Sequence, residues 1–159
     1  GSRISVEVNW SIMNIQIIAV GKLKEEYLRG AQREYSKRLS RFCRLRIIEV
    51  DEESTLEKEA DRIRKVLPAS SHVIALAIEG KKYDSVGFSR HMENLMIGGK
   101  SNITFIIGGS TGLDKSIFKE AHSLLSMSDM TFPHQLARII LLEQIYRSFK
   151  IINNEIYHK

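Results

Sequence analysis

Two polar loops in the second half of the chain carry residue types that could hold a small molecule. Residues 108–112 read GGSTG after an apolar run, and residues 127–132 read MSDMTF before Pro133 and His134. Glycines let backbone amides approach a ligand closely. The second loop can offer backbone N–H and C=O groups to an adenine edge between apolar side chains. Taken separately, a tight turn and a short edge strand explain the two loops at least as well, and residues 108–112 match neither G-x-G-x-x-G nor a Walker A loop.

The helix expected after Pro133 and the C-terminal tail add candidates for proton transfer. Arg138 falls on an apolar face of this helix, so its guanidinium needs an anionic partner or a route to solvent. A structural ion pair and a ligand-binding role both remain open for it. His134 and His158 are candidates for proton or phosphate contacts, although an isolated histidine is commonly structural. No CxxC, HExxH or clustered acidic motif predicts a metal site.

Strand and helix patterns alternate along the chain, and they place the two loops. Such alternation predicts an α/β fold with a mostly parallel sheet covered by helices on both faces. Ligands in such sheets bind outside the carboxyl ends of the strands, where the loops after the third, fourth and fifth strands lie. Strands are predicted over residues 15–20, 45–50, 73–78, 103–107 and 126–130, and helices over residues 25–42, 56–67, 85–97, 115–125 and 133–152.

Size and composition are those of one cytoplasmic domain. Residues 1–12, which begin like the remnant of a protease site, are expected to be an upstream extension before a single domain at residues 13–159. No apolar run approaches the roughly 20 residues that span a bilayer, so no membrane role is expected. Cys43 is the single cysteine and cannot form an internal disulfide, which favours a reducing compartment.

Charge and hydropathy suggest two kinds of partner. The net charge is +5, and residues 22–46 contain nine Lys or Arg against three Glu. This basic stretch is either a solvated helix face or an anion-facing surface, and both readings stay open. The final helix is apolar almost all the way round, which favours burial on more than one side and hence a homodimer.

Four blocks of the sequence, in order and at matching spacing, resemble a known family. They are residues 15–22 (IQIIAVGK), 105–113 (FIIGGSTGL), 128–134 (SDMTFPH) and 157–159 (YHK). The chain from Met13 to Lys159 resembles the SPOUT class of methyltransferases and, within it, the RlmH family, which methylates N3 of a pseudouridine in 23S rRNA.

The resemblance implies a fold, a cofactor and partners. It implies a C-terminal segment threaded into a deep trefoil knot, a homodimer, and an assembled ribosome as substrate. It also implies that S-adenosylmethionine binds in the knotted loops. Carried over by position, the cofactor-binding residues are Leu76, Gly108, Gly109, Met127, Ser128, Asp129, Met130, Thr131 and Phe132.

Methylation of N3 requires that the sulfonium methyl group lie in line with the attacking nitrogen, and it requires an acceptor for the N3 proton. The candidates that would bind substrate or handle the proton are His134, Arg138, Tyr157 and His158, with Arg138 and Arg147 suited to gripping phosphate or a uracil carbonyl. A non-catalytic ribosome- or RNA-binding protein of the same fold is the alternative. A nucleotide-dependent enzyme is disfavoured because residues 108–112 lack a following Lys-Ser/Thr pair.

Overall fold

The computed structural model describes residues 13–154, so the expectations for residues 1–12 and for Tyr157, His158 and Lys159 lie outside the described part of the chain. Strands and helices alternate, as predicted. The strands are β1 (Asn14–Val20), β2 (Arg44–Val50), β3 (His72–Lys82), β4 (Asn102–Ile107) and β5 (Ser123–Ser126). The helices are α1 (Glu26–Leu39), α2 (Leu56–Val66), α3 (Ser85–Ile97), α4 (Lys115–Glu120) and α5 (His134–Ile152).

The five strands form one sheet in the order β2-β1-β4-β3-β5, and every neighbouring pair is parallel. The prediction of a parallel α/β sheet is confirmed. Strands β1 and β4 are central and are almost continuously apolar, because helices cover both of their faces. Side chains alternate between two cores. Ile17 points into a core with α1, α3 and α5, whereas Ile18 points into a second core with α2 and α4.

The apolar surface of helix α5 is covered by other helices of the same chain. It packs against both α1 and α3, and Leu141, Leu142 and Ile145 are fully buried in the first core. A helix held between two others needs apolar residues over most of its circumference. Within residues 13–154, no helix is both long and apolar enough to cross a membrane.

The predicted helix over residues 115–125 and the strand over residues 126–130 are wrong. Helix α4 ends at Glu120, and β5 begins at Ser123. The helix ends because His122 bonds to β3 instead of continuing it. The His122 backbone N–H donates to the Val73 carbonyl at 2.8 Å, and its Nδ1 accepts from the Val73 N–H at 2.9 Å. The next residues then pair with β3, which leaves residues 127–132 as a loop beyond the carboxyl end of β5.

Strand β3 is longer than the predicted residues 73–78, and it is interrupted. Both Leu76 and Lys81 lie opposite Leu125 on β5, so residues 77–80 leave the ladder and return to it. Gly80 makes this return possible. A Cβ there would lie 2.7 Å from backbone atoms of Leu124 and Leu125. A glycine inside a strand pattern commonly marks such a close backbone approach.

Candidate active site

A cavity of about 860 Å³ lies beyond the carboxyl ends of β3, β4 and β5. Its volume is typical of a small-molecule site. The three loops that were expected to converge do so, although they are separated by about 30 and 20 residues of sequence. Of the predicted cofactor-binding residues, those that line the cavity are Leu76, Gly108, Gly109, Met127, Ser128, Met130, Thr131 and Phe132.

The loop after β4 forms a tight wall of the cavity. Its backbone closes on itself, since the Gly112 N–H donates to the Gly109 carbonyl at 3.0 Å and Gly112 has a φ of +84°. A Cβ on Gly108 would lie 2.4 Å from the Gly112 carbonyl oxygen. A Cβ on Gly109 would lie 3.4 Å from Val20 Cγ1, close to ordinary van der Waals contact. Position 108 therefore requires glycine for the loop to close, and position 109 has more room.

The interrupted part of β3 forms the opposite wall. Leu76, Ala77, Ile78 and Glu79 all line the cavity, and Ile78 is 76% exposed despite its size. The sequence predicted a strand over residues 73–78 with a loop after it, but not that this loop would be followed by a second stretch of strand. The signal available in the sequence was Gly80 within an otherwise strand-like run.

The loop at residues 127–132 is shaped by short polar contacts. The Met130 N–H donates to Ser128 Oγ at 3.0 Å, and Ser126 Oγ donates to the Ser128 carbonyl at 3.2 Å. Asp129 is 83% exposed and forms an ion pair with Lys82 at the end of β3. Asp129 is thus the one predicted cofactor-binding residue that is not among the residues lining the cavity.

His134 begins α5 and lines the cavity. Its Nε2 is buried and has no hydrogen-bond partner within the described part of the chain. A buried polar atom without a partner costs about 1–3 kcal/mol. Such an atom at a cavity wall is therefore suited to a ligand that would complete its hydrogen bond.

Arg138 lies one turn further along α5 and is only 2% exposed. Its Nη1 donates to Glu49 Oε2 at 2.6 Å and to Gln32 Oε1 at 3.2 Å, and its Nη2 donates to the Gly21 carbonyl at 2.9 Å. Of the two roles left open by the sequence, the structure shows the ion pair. Arg138 is not among the residues that line the cavity.

Two other groups singled out from the sequence also lie away from the cavity. Arg147 forms an ion pair with Glu143 on α5, with 3.1 Å between Nη2 and Oε1. Cys43 is buried, and burial raises the pKa of its thiol to about 12. The thiol therefore stays protonated at neutral pH and is a poor nucleophile.

Helix α4 supplies cavity residues that no sequence motif indicated. Lys115, in its first turn, and Phe118 both line the cavity. Lys115 and Glu79 are, apart from His134, the ionisable side chains among the described lining residues. No group of three or more His, Cys, Asp or Glu side chains in residues 13–154 is arranged to hold a metal ion.

A parallel α/β sheet with a cavity at the carboxyl ends of three strands is typical of α/β proteins that bind small molecules. Comparison with known proteins narrows this class. Residues 13–158 match the family described as "Predicted SPOUT methyltransferase". The chain belongs to the SPOUT methyltransferase family, and methyl transfer is the activity of that family.

Curated relatives extend over nearly the whole chain. A protein from Ruminiclostridium cellulolyticum is 54% identical over 159 residues, which are 92% of this chain and 100% of the relative. A protein from Acetivibrio thermocellus is 52% identical over the same shares. Both are named "Ribosomal RNA large subunit methyltransferase H".

A solved structure shows the same fold at low sequence identity. It comes from Bordetella pertussis Tohama I and is described as a "Probable Methyltransferase". The TM-score is 0.56 at 10% identity, over 86% of this chain and 95% of the other.

Proposed function

We propose that the chain is an S-adenosylmethionine-dependent methyltransferase that methylates N3 of a pseudouridine in 23S rRNA of the assembled ribosome. Family membership supports methyl transfer, and the names of relatives at 54% and 52% identity support a large-subunit rRNA substrate. The observation that carries the site is the convergence of segments near residues 76, 108 and 130 on one cavity.

The cavity fits a donor that combines an adenine, a ribose and an amino acid. Leu76, Ile107 and Leu125 supply apolar surface for ring faces. Residues 127–132 have no regular secondary structure, so their backbone N–H and C=O groups, apart from the Met130 N–H and the Ser128 carbonyl, can serve an adenine edge. Gly108 lets the loop after β4 close on Gly112 and so keeps this wall of the cavity in place. We therefore assign the donor to Leu76, Gly108, Gly109 and the cavity-lining residues of 127–132.

The bound donor supplies an electrophilic methyl group on its sulfonium. The chain must then hold the target ring with N3 facing that group, and it must accept the N3 proton, because a protonated imide nitrogen is a poor nucleophile. His134 suits this role, since it lines the cavity and its Nε2 lacks a partner. We assign proton acceptance to His134, with Tyr157 and His158 of the tail as further substrate contacts.

Arg138 receives a positioning role in this proposal. Its guanidinium binds Glu49, Gln32 and the Gly21 carbonyl, which fixes the start of α5 against the ends of β1 and β2. His134 sits in that same first turn of α5. Arg138 thus acts on the reaction by holding His134 in place.

The partners follow from the size of the matched region. One methyltransferase match takes up residues 13–158, so no separate RNA-binding module lies within them. A compact enzyme of this kind is best served by a preformed surface, and we propose that this surface belongs to the assembled ribosome in the cytoplasm. A homodimer and a C-terminal trefoil knot that encloses the cavity loops belong to the same proposal.

Calorimetry with S-adenosylmethionine and, separately, with ATP tests the donor. We expect binding of the first and no heat with the second, and we expect Gly109→Arg to abolish binding by filling the cavity. Binding of ATP alone would contradict the proposal.

Transfer of a labelled methyl group tests the acceptor. We expect labelling of intact ribosomes but not of protein-free 23S rRNA, with 3-methylpseudouridine identified by nucleoside mass spectrometry. Equal labelling of both substrates, or label in another nucleoside, would contradict the assigned substrate.

A further inference from the structure

The segment that joins β1 to α1, residues 21–25, lies beside the cavity together with the first turn of α1. A Cβ on Gly109 of the cavity wall would contact Val20, the last residue of β1. The Lys24 N–H donates to Gln135 Oε1 at 3.0 Å, and Gln135 follows the cavity-lining His134. The segment is therefore within reach of a substrate that has a base in the cavity.

This segment has no regular structure up to Glu25, yet it is held at several points. The Gly21 carbonyl accepts from Arg138, and the Leu23 and Lys24 carbonyls accept from Arg29 Nη1 at 3.0 and 2.9 Å. Leu23 is only 5% exposed. A surface loop tied down in this way presents its outward side chains in a defined position.

The cations of this region divide into paired and unpaired groups. Along α1, Arg29 and Arg33 bind Glu26, whose pKa is held below its ordinary value first by the Arg33 hydrogen bond and then by Arg29. By contrast, Lys22 and Lys24 are exposed and have no ion-pair partner among residues 13–154. Three of the four cations on α1 are thus engaged in ion pairs, since Arg38 also binds Glu34, whereas the two lysines beside the cavity are not.

An exposed aromatic ring stands next to these lysines. Tyr27, in the first turn of α1, is 72% exposed. Exposed aromatic side chains beside unpaired cations are characteristic of surfaces that bind single-stranded nucleic acid, where bases stack on the rings and phosphates meet the cations. A base that enters the cavity must leave its stack, which leaves its neighbours without a stacking partner.

We propose that Lys22, Lys24 and Tyr27 form a docking surface for the RNA nucleotides that flank the methylated base. The two ammonium groups contact backbone phosphates, and the Tyr27 ring stacks on a neighbouring base. This inference rests on the proposed function. It adds the place where the RNA strand runs past the cavity. Glu25, an exposed carboxylate on the same segment, opposes the two lysines.

Charge-matched double variants test the phosphate contacts. We would compare Lys22→Gln/Lys24→Gln with Lys37→Gln/Arg44→Gln, which removes two exposed cations that also lack ion-pair partners among the described residues. Arg44 begins β2, so it lies at the other end of the sheet, roughly 20 Å from the cavity at about 3.3 Å per residue. The two variants have the same net charge, and they differ in the position of the removed cations and in one Arg in place of a Lys.

The readouts are KM for intact ribosomes and the salt dependence of binding to a fluorescein-labelled single-stranded RNA dodecamer. For Lys22→Gln/Lys24→Gln we expect KM to rise about tenfold with little change in kcat, and the salt slope to fall by about 0.7 per lysine. The control pair should leave both unchanged. Equal effects of the two pairs would overturn the proposal, since binding would then follow net charge only.

Single variants test the ring and the sign of the charge effect. Tyr27→Ser should weaken dodecamer binding roughly tenfold, as expected for one lost base stack, and Tyr27→Phe should restore it. Glu25→Gln should strengthen binding. Sedimentation of each variant identifies a competing occupant, because a change of oligomeric state in Tyr27→Ser would show that a second copy covers the ring and would overturn the proposal.

The dodecamer assay also separates this inference from the proposed function. If the wild-type protein transfers no methyl group but binds the dodecamer through Lys22, Lys24 and Tyr27, the proposed function fails and the docking surface stands. If methyl transfer occurs and these variants behave as wild type, the docking surface fails alone.

Discussion

Two successive turns of α5 each carry a buried polar side chain, and the two side chains differ in whether they have hydrogen-bond partners. Arg138 is surrounded by acceptors from three other parts of the chain, namely Gln32, Glu49 and Gly21. His134, four residues earlier, has a buried Nε2 with no partner among residues 13–154. A satisfied polar group stabilises a fold, whereas an unsatisfied one costs stability and persists where function needs it. The difference separates the part of the helix that holds the fold from the part that faces the cavity.

The same contrast extends along the edge of the sheet. At the carboxyl ends of β1 and β2, Arg138 donates hydrogen bonds to the Gly21 carbonyl and to Glu49. The ends of β3, β4 and β5 carry an interrupted strand, a loop that requires glycine, and exposed apolar side chains such as Ile78 and Met130. Irregular backbone therefore concentrates where the cavity is.

Replacement of Arg138 by Ala should have the largest effect on stability. It leaves the Glu49 carboxylate and the Gly21 carbonyl without their buried partner, and breaking a buried ion pair costs about 3–5 kcal/mol, here reduced to about 3 because Glu49 is one-third exposed. Urea unfolding would measure the change in free energy. Glu49→Gln, which keeps an acceptor, should cost less than half as much. If Arg138→Ala unfolds like wild type yet binds ribosomes far more weakly, Arg138 contacts the substrate.

Gly108 and Gly109 offer a matched pair for the cavity wall. Gly108→Ala forces a Cβ against the Gly112 carbonyl, and overpacking of this kind costs about 1–3 kcal/mol. Because the loop must shift to relieve it, affinity for S-adenosylmethionine should fall at least tenfold by calorimetry. Gly109→Ala, with its Cβ near 3.4 Å from Val20, should change both quantities much less. Similar losses in the two variants would mean that the whole loop, rather than the close contact at 108, determines binding.

His134→Leu should make the protein more stable and less active. The change removes a buried nitrogen that has no partner within the described residues, so unfolding free energy should rise by up to about 1 kcal/mol. Methyl transfer should fall at least a hundredfold through loss of proton transfer, with donor affinity nearly unchanged. A destabilised variant with normal turnover would show instead that His134 belongs with Arg138 as a structural group.

The contrast also marks what the sequence could and could not reveal. Apolar runs such as residues 15–20 predicted the parallel sheet, because their periodicity is local. The partners of Arg138 lie between 89 and 117 residues away in the sequence, so no local sequence pattern predicts them. The start of β5 was misplaced because His122 bonds to Val73, which is remote in sequence. Convergence of the cavity loops was predictable since the carboxyl ends of parallel strands share one edge.

Asp129→Asn should have the smallest effect, and it tests the boundary of the cavity. The Asp129–Lys82 ion pair is exposed on both sides, and such pairs contribute about 0–1 kcal/mol. Within the loop at residues 127–132, Asp129 is also the residue that does not line the cavity. Donor affinity should therefore change less than about twofold if only cavity-lining residues bind the donor. Lys82→Gln serves as the control, because it breaks the same pair from the other side and should give the same small loss in unfolding free energy. A tenfold loss of donor affinity in Asp129→Asn alone would mean that Asp129 leaves Lys82 and turns into the cavity when the donor binds.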